Sequence, residues 1–246
     1  MSTEKIALVT GANKGIGLET VRQLASKGVH VLLGARDIAK ASAAAQPLIA
    51  SGLKVEPIEL DVTNSAHIAS AAAMIQAKFG RLDILVNNAG IMVEAVDWAQ
   101  NTTIDVTAAI LRKTYDTNFF GTVAVTQALL PLVIKAPAGR IVNVSSIMGS
   151  LLFHAKPDSP IYDSKPFAYD SSKTALNAFT IHLAHALKGT AVKVNSAHPG
   201  WVKTEMGGAG AMLDIPEGAS TSVELALLEA DGPTGGYFHL GKPLPW

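Results

Sequence analysis

The sequence predicts an α/β protein with a Rossmann-type, doubly wound parallel sheet of about seven strands and helices on both faces. Two observations support this fold. Short apolar runs recur along almost the whole 246-residue chain, and such runs are typical of strands buried on both faces. They alternate with helical segments across short turns, and this alternation favours a parallel sheet.

The predicted elements follow in regular order. The first strand, Ile6–Val9, leads into a helix over 15–27 that ends at Gly28. Further strands are predicted at 29–33, 55–60, 82–86, 140–144, 192–197 and 237–240, and further helices at 37–51, 65–79, 106–134, 169–187 and 216–228. The segment 148–167 is rich in Ser and Pro, and we expect it to be an irregular surface excursion.

Composition excludes several classes of function. Basic and acidic residues balance at 20 each, and neither sign clusters, which argues against a nucleic-acid or anionic-membrane partner. The absence of cysteine excludes disulfides and thiolate metal sites. His182 and His185 share a predicted helix face, but no third ligand is evident, so we expect no metal. With no signal peptide or membrane-spanning apolar run to be seen, we expect a cytoplasmic protein.

The first turn of the chain is rich in glycine. It follows the first strand, opens the first helix and reads Thr10-Gly11-Ala12-Asn13-Lys14-Gly15-Ile16-Gly17. Glycines permit a tight turn and close approach of a ligand, and the helix start offers free N–H groups to an anion. At this position in an α/β chain the pattern predicts a pyrophosphate site, with a packing turn as the alternative.

Tyr169 and Lys173 lie four positions apart in a predicted helix, so their side chains share one face. A phenol has an ordinary pKa of about 10. A lysine one turn away favours the phenolate, and we expect Lys173 to lower the pKa of Tyr169. Alone, the pair is common by chance.

Three motifs in this order resemble the short-chain dehydrogenase/reductase family. They are the glycine turn with the spacing Thr-Gly-x-x-x-Gly-Ile-Gly, Asn87-Asn88-Ala89-Gly90 after the fourth strand, and Tyr169-x-x-x-Lys173. The resemblance covers almost the whole chain. It implies one dinucleotide-binding catalytic domain over residues 1–246.

The resemblance also implies a catalytic set of Asn118, Ser146, Tyr169 and Lys173. Ser146 follows the fifth strand. Its neighbour Ser145 is the competing assignment, although alternation along the strand would turn the two side chains in opposite directions. In the family the asparagine supports a catalytic water. A buried amide that ties the helix to the sheet is the alternative for Asn118.

The implied cofactor site draws on the turns that follow the strands. Its residues are Gly11, Asn13, Lys14, Gly15, Ile16, Gly17, Arg36, Asp61, Val62, Asn88, Ala89, Gly90, Tyr169, Lys173, Pro199, Gly200, Val202 and Thr204. Asp61 has the alternative role of an ordinary turn carboxylate. We expect His198 to shape the loop over the nicotinamide and not to titrate in catalysis.

The second strand bears on the choice of nicotinamide. Many NAD-binding folds place an acid about 20 residues past the glycines, and this count reaches Asp37. We expect Asp37 to cap its helix instead, since Ala35 is better placed at the ribose and carries no acid. Arg36, with Lys14, would suit the 2′-phosphate of NADPH.

Within the family, the glycine turn and the stretches around Ser146 and Trp201 particularly resemble carbonyl reductases. That resemblance implies reduction of a ketone or aldehyde with NADPH and Tyr169 as general acid. Ser146 and Tyr169 are 23 positions apart, fewer than the long insertion of those reductases would give. Substrate scope and oligomeric state, including a homo-oligomer, therefore stay open.

Large apolar residues flank these motifs and are expected to line a pocket for a small uncharged carbonyl compound. They are Ile91, Met92, Ile147, Met148, Phe153, Trp201 and Met206. Three alternatives stay open: an NAD-dependent secondary alcohol dehydrogenase, a 3-ketoacyl-carrier reductase, and a non-catalytic dinucleotide sensor.

Overall fold

The apolar runs form one eight-stranded sheet in the computed structural model, which describes residues 4–94 and 103–246. The spatial order is β3-β2-β1-β4-β5-β6-β7-β8, with β8 antiparallel to β7 and the other seven strands parallel. The strands are β1 (Ile6–Val9), β2 (His30–Ala35), β3 (Val55–Glu59), β4 (Ile84–Asn87), β5 (Arg140–Val144), β6 (Lys193–Ala197), β7 (Tyr237–His239) and β8 (Lys242–Pro243).

The helices cover both faces of this sheet. They are α1 (Gly15–Ser26), α2 (Ile38–Ala50), α3 (Ser65–Phe79), α4 (Ala108–Tyr115), α5 (Thr122–Ile134), α6 (Leu151–Ala155), α7 (Phe167–Ala186) and α8 (Ile215–Ala226). The doubly wound fold predicted from the sequence is confirmed. The strand count is one too low, because β8 has only two residues and carries no periodic signal.

The sheet separates two apolar clusters. Leu8 packs with side chains of α3 and α5, whereas its neighbours Ala7 and Val9 pack with side chains of α1, α2 and α8. Successive strand residues point to opposite faces. Both faces of β1 are therefore buried, which explains why the strand sequences are apolar runs without polar alternation.

The long predicted helix over 106–134 contains a π-helical turn, Asp116–Gly121, between α4 and α5. The stretch Ala108–Ile134 is long and apolar enough to cross a membrane by length and composition alone. Its residues Val125, Leu129 and Val133 are buried in the core against the sheet. These contacts identify it as a core helix of the fold.

The segment 148–167 is more ordered than the sequence suggested. It contains a short 3₁₀ turn, Ile147–Gly149, and then α6. Met148, Ser150 and Ile161 are buried, and the His154 ring bonds back to the Met148 carbonyl oxygen at 2.8 Å. Burial and polar contacts tie these residues to the domain, whereas residues 156–166 form no helix or strand and most of residues 151–160 are exposed.

The order of strands determines where a ligand would lie. The direction of winding reverses between β1 and β4, whose residues pair in register. In open parallel sheets, ligands bind beyond the carboxyl ends of the strands at such a switch point. The loops after β1, β4, β5 and β6 lie at this edge and include the glycine turn, Asn88, Ser146 and Gly200.

Candidate active site

Ser146, Tyr169 and Lys173 come together at the carboxyl edge of β5. The Tyr169 phenol shares a hydrogen bond with the Ser146 side chain. The Lys173 Nζ atom lies 5.6 Å from the centre of the Tyr169 ring and donates to the Val144 carbonyl oxygen at 2.8 Å. Ser145 turns away and donates to Asn177 at 2.7 Å. Of the two serines, Ser146 is thus the one beside the phenol.

Burial controls the ionisation of the phenol. It raises the pKa of Tyr169 to about 12, while the Ser146 hydrogen bond lowers this pKa and the Asp170 charge raises it. The pKa of the phenol thus stays above its ordinary value in this structure, whereas the sequence suggested a lowered one. Burial also lowers the pKa of Lys173 to about 8, so its ammonium group loses a proton more easily than an exposed lysine does.

The pKa of Tyr169 determines whether this side chain donates or abstracts a proton. With a pKa of about 12, the Tyr169 phenol is protonated at neutral pH. A protonated phenol bonded to a hydroxyl is ready to donate a proton to a ligand oxygen. The arrangement therefore suits proton donation better than proton abstraction.

Asn118 lies in the π-helical turn and is fully buried. Its Oδ1 accepts from the Ile91 N–H at 2.8 Å, and its Nδ2 donates to the Ile91 carbonyl oxygen at 2.9 Å and to Ser172 at 3.0 Å. The amide therefore joins the helix to the loop after β4 and to α7. The geometry shows the amide in the tying role, which was the alternative for Asn118.

The glycine turn presents an open helix start. The N-cap residue of α1, Lys14, makes no side-chain capping bond, whereas Asp37 and Asn64 cap α2 and α3 with theirs. The first turn of α1 also has no acidic residue. Its N–H groups are therefore available to an anion, as a pyrophosphate requires.

Close contacts hold the glycine turn against the Asn88-Ala89 segment. Thr10 Oγ1 accepts from the N–H groups of Asn88 and Ala89, both at 3.0 Å, and the Asn88 amide donates to the carbonyl oxygens of Thr10 and Gly11. A Cβ added at Gly17 would lie 2.4 Å from Asn88 Nδ2. A glycine is thus required there for packing as well as for ligand approach.

The end of β2 carries the predicted adenosine contacts. Asp37 accepts from the N–H groups of Ala39 at 2.9 Å and Lys40 at 3.2 Å, so its predicted capping role is confirmed. Arg36 is exposed, and its charge acts on Asp61. Burial raises the pKa of Asp61, but hydrogen bonds from Thr63 and the charge of Arg36 outweigh it and lower the pKa. Val62, which follows Asp61, is buried.

Lys14 is paired in a way that the sequence did not indicate. Its ammonium bonds to the Glu205 carboxylate in the loop after β6, and both side chains are exposed. The hydrogen bond to Lys14 lowers the pKa of Glu205. The expected second cation at a 2′-phosphate is thus neutralised by a carboxylate in this structure, which leaves Arg36 as the stronger candidate.

The loop after β6 is held by His198. Its Nδ1 accepts from the N–H groups of Ile147 at 3.1 Å and Gly200 at 3.4 Å, and burial followed by the nearby His239 lowers its pKa to about 3. A neutral ring therefore ties this loop to the loop after β5, in keeping with its predicted shaping role. Gly200 has a positive φ of 88°, and Thr204 bonds to Val202 and Gly207 within the loop.

The predicted pocket residues differ in exposure. Met148 is buried, whereas Trp201 is 45% exposed and Met206 is 42% exposed. The Trp201 indole donates to the Gly207 carbonyl oxygen at 2.7 Å, which fixes the ring over the loop. The remaining members are partly buried: Ile91, Met92, Ile147 and Phe153. The two exposed side chains give the loop after β6 an apolar surface.

The capping of α7 by Glu94 was not predicted from the sequence. Its buried carboxylate accepts from the N–H groups of Ala168 and Tyr169, both at 2.8 Å. A signal was present, because the predicted helix with Tyr169 is preceded by Pro166 and lacks a Ser, Thr, Asp or Asn at its start. Such a helix needs a capping group from elsewhere in the chain.

Comparisons with known proteins agree with this geometry. The family model described as short chain dehydrogenase matches residues 5–211. The chain is 35% identical to short-chain dehydrogenase/reductase 1 of Saponaria officinalis, over 100% of this chain and 97% of that protein. It is 36% identical to carbonyl reductase [NADPH] 1 of Homo sapiens, over 98% of each.

A solved structure shows the same likeness. The NADPH-bound carbonyl reductase from chicken fatty liver superposes with a TM-score of 0.84 at 30% identity, covering 99% of both chains.

Proposed function

The chain belongs to the short chain dehydrogenase family, and on that premise we propose that it reduces a ketone or aldehyde to an alcohol with NADPH. One observation carries the proposal. The Tyr169 phenol, kept protonated by burial, is hydrogen-bonded to Ser146 at the edge of the sheet where the glycine turn lies. A proton donor and a second hydroxyl at that position suit a developing alkoxide.

The residues present fit the cofactor. The uncapped start of α1 would hold the pyrophosphate, and Arg36 would pair with the 2′-phosphate. Ala35 is buried at the end of β2 and offers no carboxylate to a ribose hydroxyl, and Asp37 is used as a cap. Relatives named as NADPH carbonyl reductases support the choice. When bound, NADPH supplies the hydride to the carbonyl carbon.

The protein side chains bind and protonate the carbonyl oxygen of the substrate. The Ser146 O–H donates a hydrogen bond to the carbonyl oxygen and holds that oxygen within reach of the Tyr169 phenol. As negative charge develops on that oxygen, Tyr169 gives up its proton and the alcohol forms. The Lys173 ammonium, 5.6 Å from the ring centre, stabilises the phenolate that remains. General acid catalysis contributes roughly 10²- to 10⁴-fold.

The surroundings favour an uncharged substrate. Trp201, Met206 and Phe153 supply apolar surface on the open side of the site. A charged phosphate or carrier group would need a cation there, and the nearest described one along the loop, Lys203, bonds to Asp214 at 2.9 Å. We infer that small aliphatic or aromatic carbonyl compounds are the substrates.

A substrate panel tests the proposal. We expect loss of nicotinamide absorbance with free ketones and aldehydes in the presence of NADPH, and much slower turnover with NADH. Faster turnover with acyl thioesters would identify a 3-ketoacyl-carrier reductase, and a preference for NAD with secondary alcohols would identify an alcohol dehydrogenase. Tight NADPH binding without turnover of any compound would leave a dinucleotide sensor.

A further inference from the structure

The start of the helix that carries Tyr169 is capped by a carboxylate from a loop distant in the sequence. Pro166 precedes α7 and supplies no side-chain cap. The Glu94 carboxylate, 7% exposed, accepts from the N–H groups of Ala168 and Tyr169 instead. Bonds from backbone N–H groups to a charged acceptor are among the stronger hydrogen bonds, and an anion at a helix start is further stabilised by the helix dipole.

Glu94 also connects two parts of the site. It follows the loop after β4, where Ile91 is held on both sides by Asn118. Through Glu94 this loop reaches the backbone nitrogen of Tyr169 itself. The position of the phenol is therefore coupled to the loop that faces the expected substrate.

A second carboxyl group lies against this cap. Asp170 is 6% exposed, and its Oδ1 atom has no hydrogen-bond partner among the described residues. Burial, followed by the charge of Glu94, raises the pKa of Asp170 to about 8, although Lys165 lowers it. With a pKa of about 8, Asp170 is protonated at neutral pH, beside a Glu94 carboxylate that accepts two N–H bonds.

The remaining neighbours of Asp170 do not neutralise its charge. His154 Nε2 donates to the Met148 carbonyl oxygen at 2.8 Å and lies 3.3 Å from Asp170 Oδ2. Its Nδ1 accepts from Lys165 at 3.1 Å, and burial lowers its pKa, so the ring is neutral. On α7 itself the neighbouring titratable groups are Tyr169 and Lys173.

We propose that Glu94 is a positioning residue for Tyr169, and that the proton on Asp170 preserves this cap, so that reduction weakens when Asp170 ionises. The proposal rests on the role of Tyr169 in the proposed function. Ionised Asp170 would repel Glu94 within the same buried site. The start of α7 would then shift, and with it the phenol relative to Ser146.

Two variants of the full-length protein test this with saturating NADPH and a ketone. Glu94→Gln keeps the shape but replaces one accepting oxygen by a donor, so one N–H of α7 loses its partner. We expect kcat to fall roughly 10- to 100-fold, as for a small misplacement of a catalytic group. The KM for NADPH should change less than twofold. An unchanged kcat, or a matching loss of cofactor affinity, would overturn the proposal.

The pH profile separates positioning from mere stability. In the unaltered protein kcat should decline as pH rises through about 8, and Asp170→Asn, which cannot ionise, should remove this step. Lys173 also has a pKa lowered to about 8. A step that persists in Asp170→Asn would belong to Lys173 and would contradict the proposal.

The amide resonance of Tyr169 provides a readout independent of turnover. It should titrate near pH 8 in the NADPH complex, stay constant in Asp170→Asn, and move upfield in Glu94→Gln as a bond is lost. Absence of the titration would refute the coupling even if the enzyme is active. Its presence in a protein that turns over no carbonyl compound would refute the proposed function and leave the cap established.

Discussion

Tyr169 and Lys173 sit together at the edge of β5, and burial acts on both. It raises the pKa of the phenol to about 12 and lowers that of the ammonium to about 8. The sequence shows that these two groups share a helix face, but not how deeply α7 is buried. Desolvation depends on the packing of the whole sheet, so it cannot be predicted from the spacing of two residues in the sequence.

Cofactor selectivity is also decided by single residues. Arg36 is exposed at the end of β2, and we predict that Arg36→Ala raises the KM for NADPH by roughly tenfold or more, since a charge-assisted hydrogen bond is lost. The KM for NADH should hardly change. The exposed Lys27, at the far end of α1, offers a matched control in Lys27→Ala. An equal rise in the KM for NADPH and for NADH would show that Arg36 does not bind the 2′-phosphate.

Among the structural elements, those with local signals were predicted well. β1, α3 and β5 have the predicted bounds, because apolar runs and capping residues define them. α7 begins two residues before its predicted start, since its cap is Glu94, 74 positions before Ala168. A contact between residues so far apart in the sequence produces no periodic pattern of apolar residues, so the helix start could not be predicted from it.

The glycine turn gives a prediction about stability. A methyl group at Gly17 would meet the Asn88 amide at 2.4 Å and the Gly11 carbonyl oxygen at 2.7 Å. We predict that Gly17→Ala destabilises the protein by roughly 1–3 kcal/mol through overpacking. The φ of Gly17 is not positive, so the loss would come from these close contacts and not from backbone strain. Unchanged stability of Gly17→Ala in urea unfolding would contradict the overpacking.

α7 also confers a pH dependence on stability. The pKa of Asp170 is about 8 in the folded protein against 3.8 ordinarily, so only the folded chain keeps the proton between these values. This contribution to stability is present below pH 3.8 and is lost as pH rises through about 8.

We therefore predict that Asp170→Asn is more stable than the unaltered protein at pH 8, by at least roughly 1 kcal/mol. The exposed Asp163 supplies the control, and Asp163→Asn should have little effect. A loss of stability in Asp170→Asn at pH 8 would contradict the assigned protonation.

At the scale of the whole molecule, the order of motifs determines what can be predicted. The glycine turn, Asn88 and Tyr169 occur in the order that the strand topology requires, and the fold and family follow from them. The sequence did not predict the contacts between loops. The bonds of Lys14 to Glu205 and of His198 to Ile147 join residues 191 and 51 positions apart, respectively.

We propose that residues 1–246 form a single domain. One sheet runs through all described strands, and both apolar clusters draw on the first and second halves of the chain. Unfolding by urea should show one transition by both circular dichroism and tryptophan fluorescence. NADPH at 100 times its Kd should stabilise the protein by about 2.7 kcal/mol. Two separated transitions would contradict a single domain.

The most direct test of the proposed function is removal of one oxygen atom. Tyr169→Phe keeps the ring beside Lys173 but deletes the only proton that this side chain can donate. The account predicts that ketone reduction is abolished while the Kd for NADPH, measured by quenching of tryptophan fluorescence, stays nearly unchanged. A variant that kept a tenth of the activity would contradict Tyr169 as the general acid.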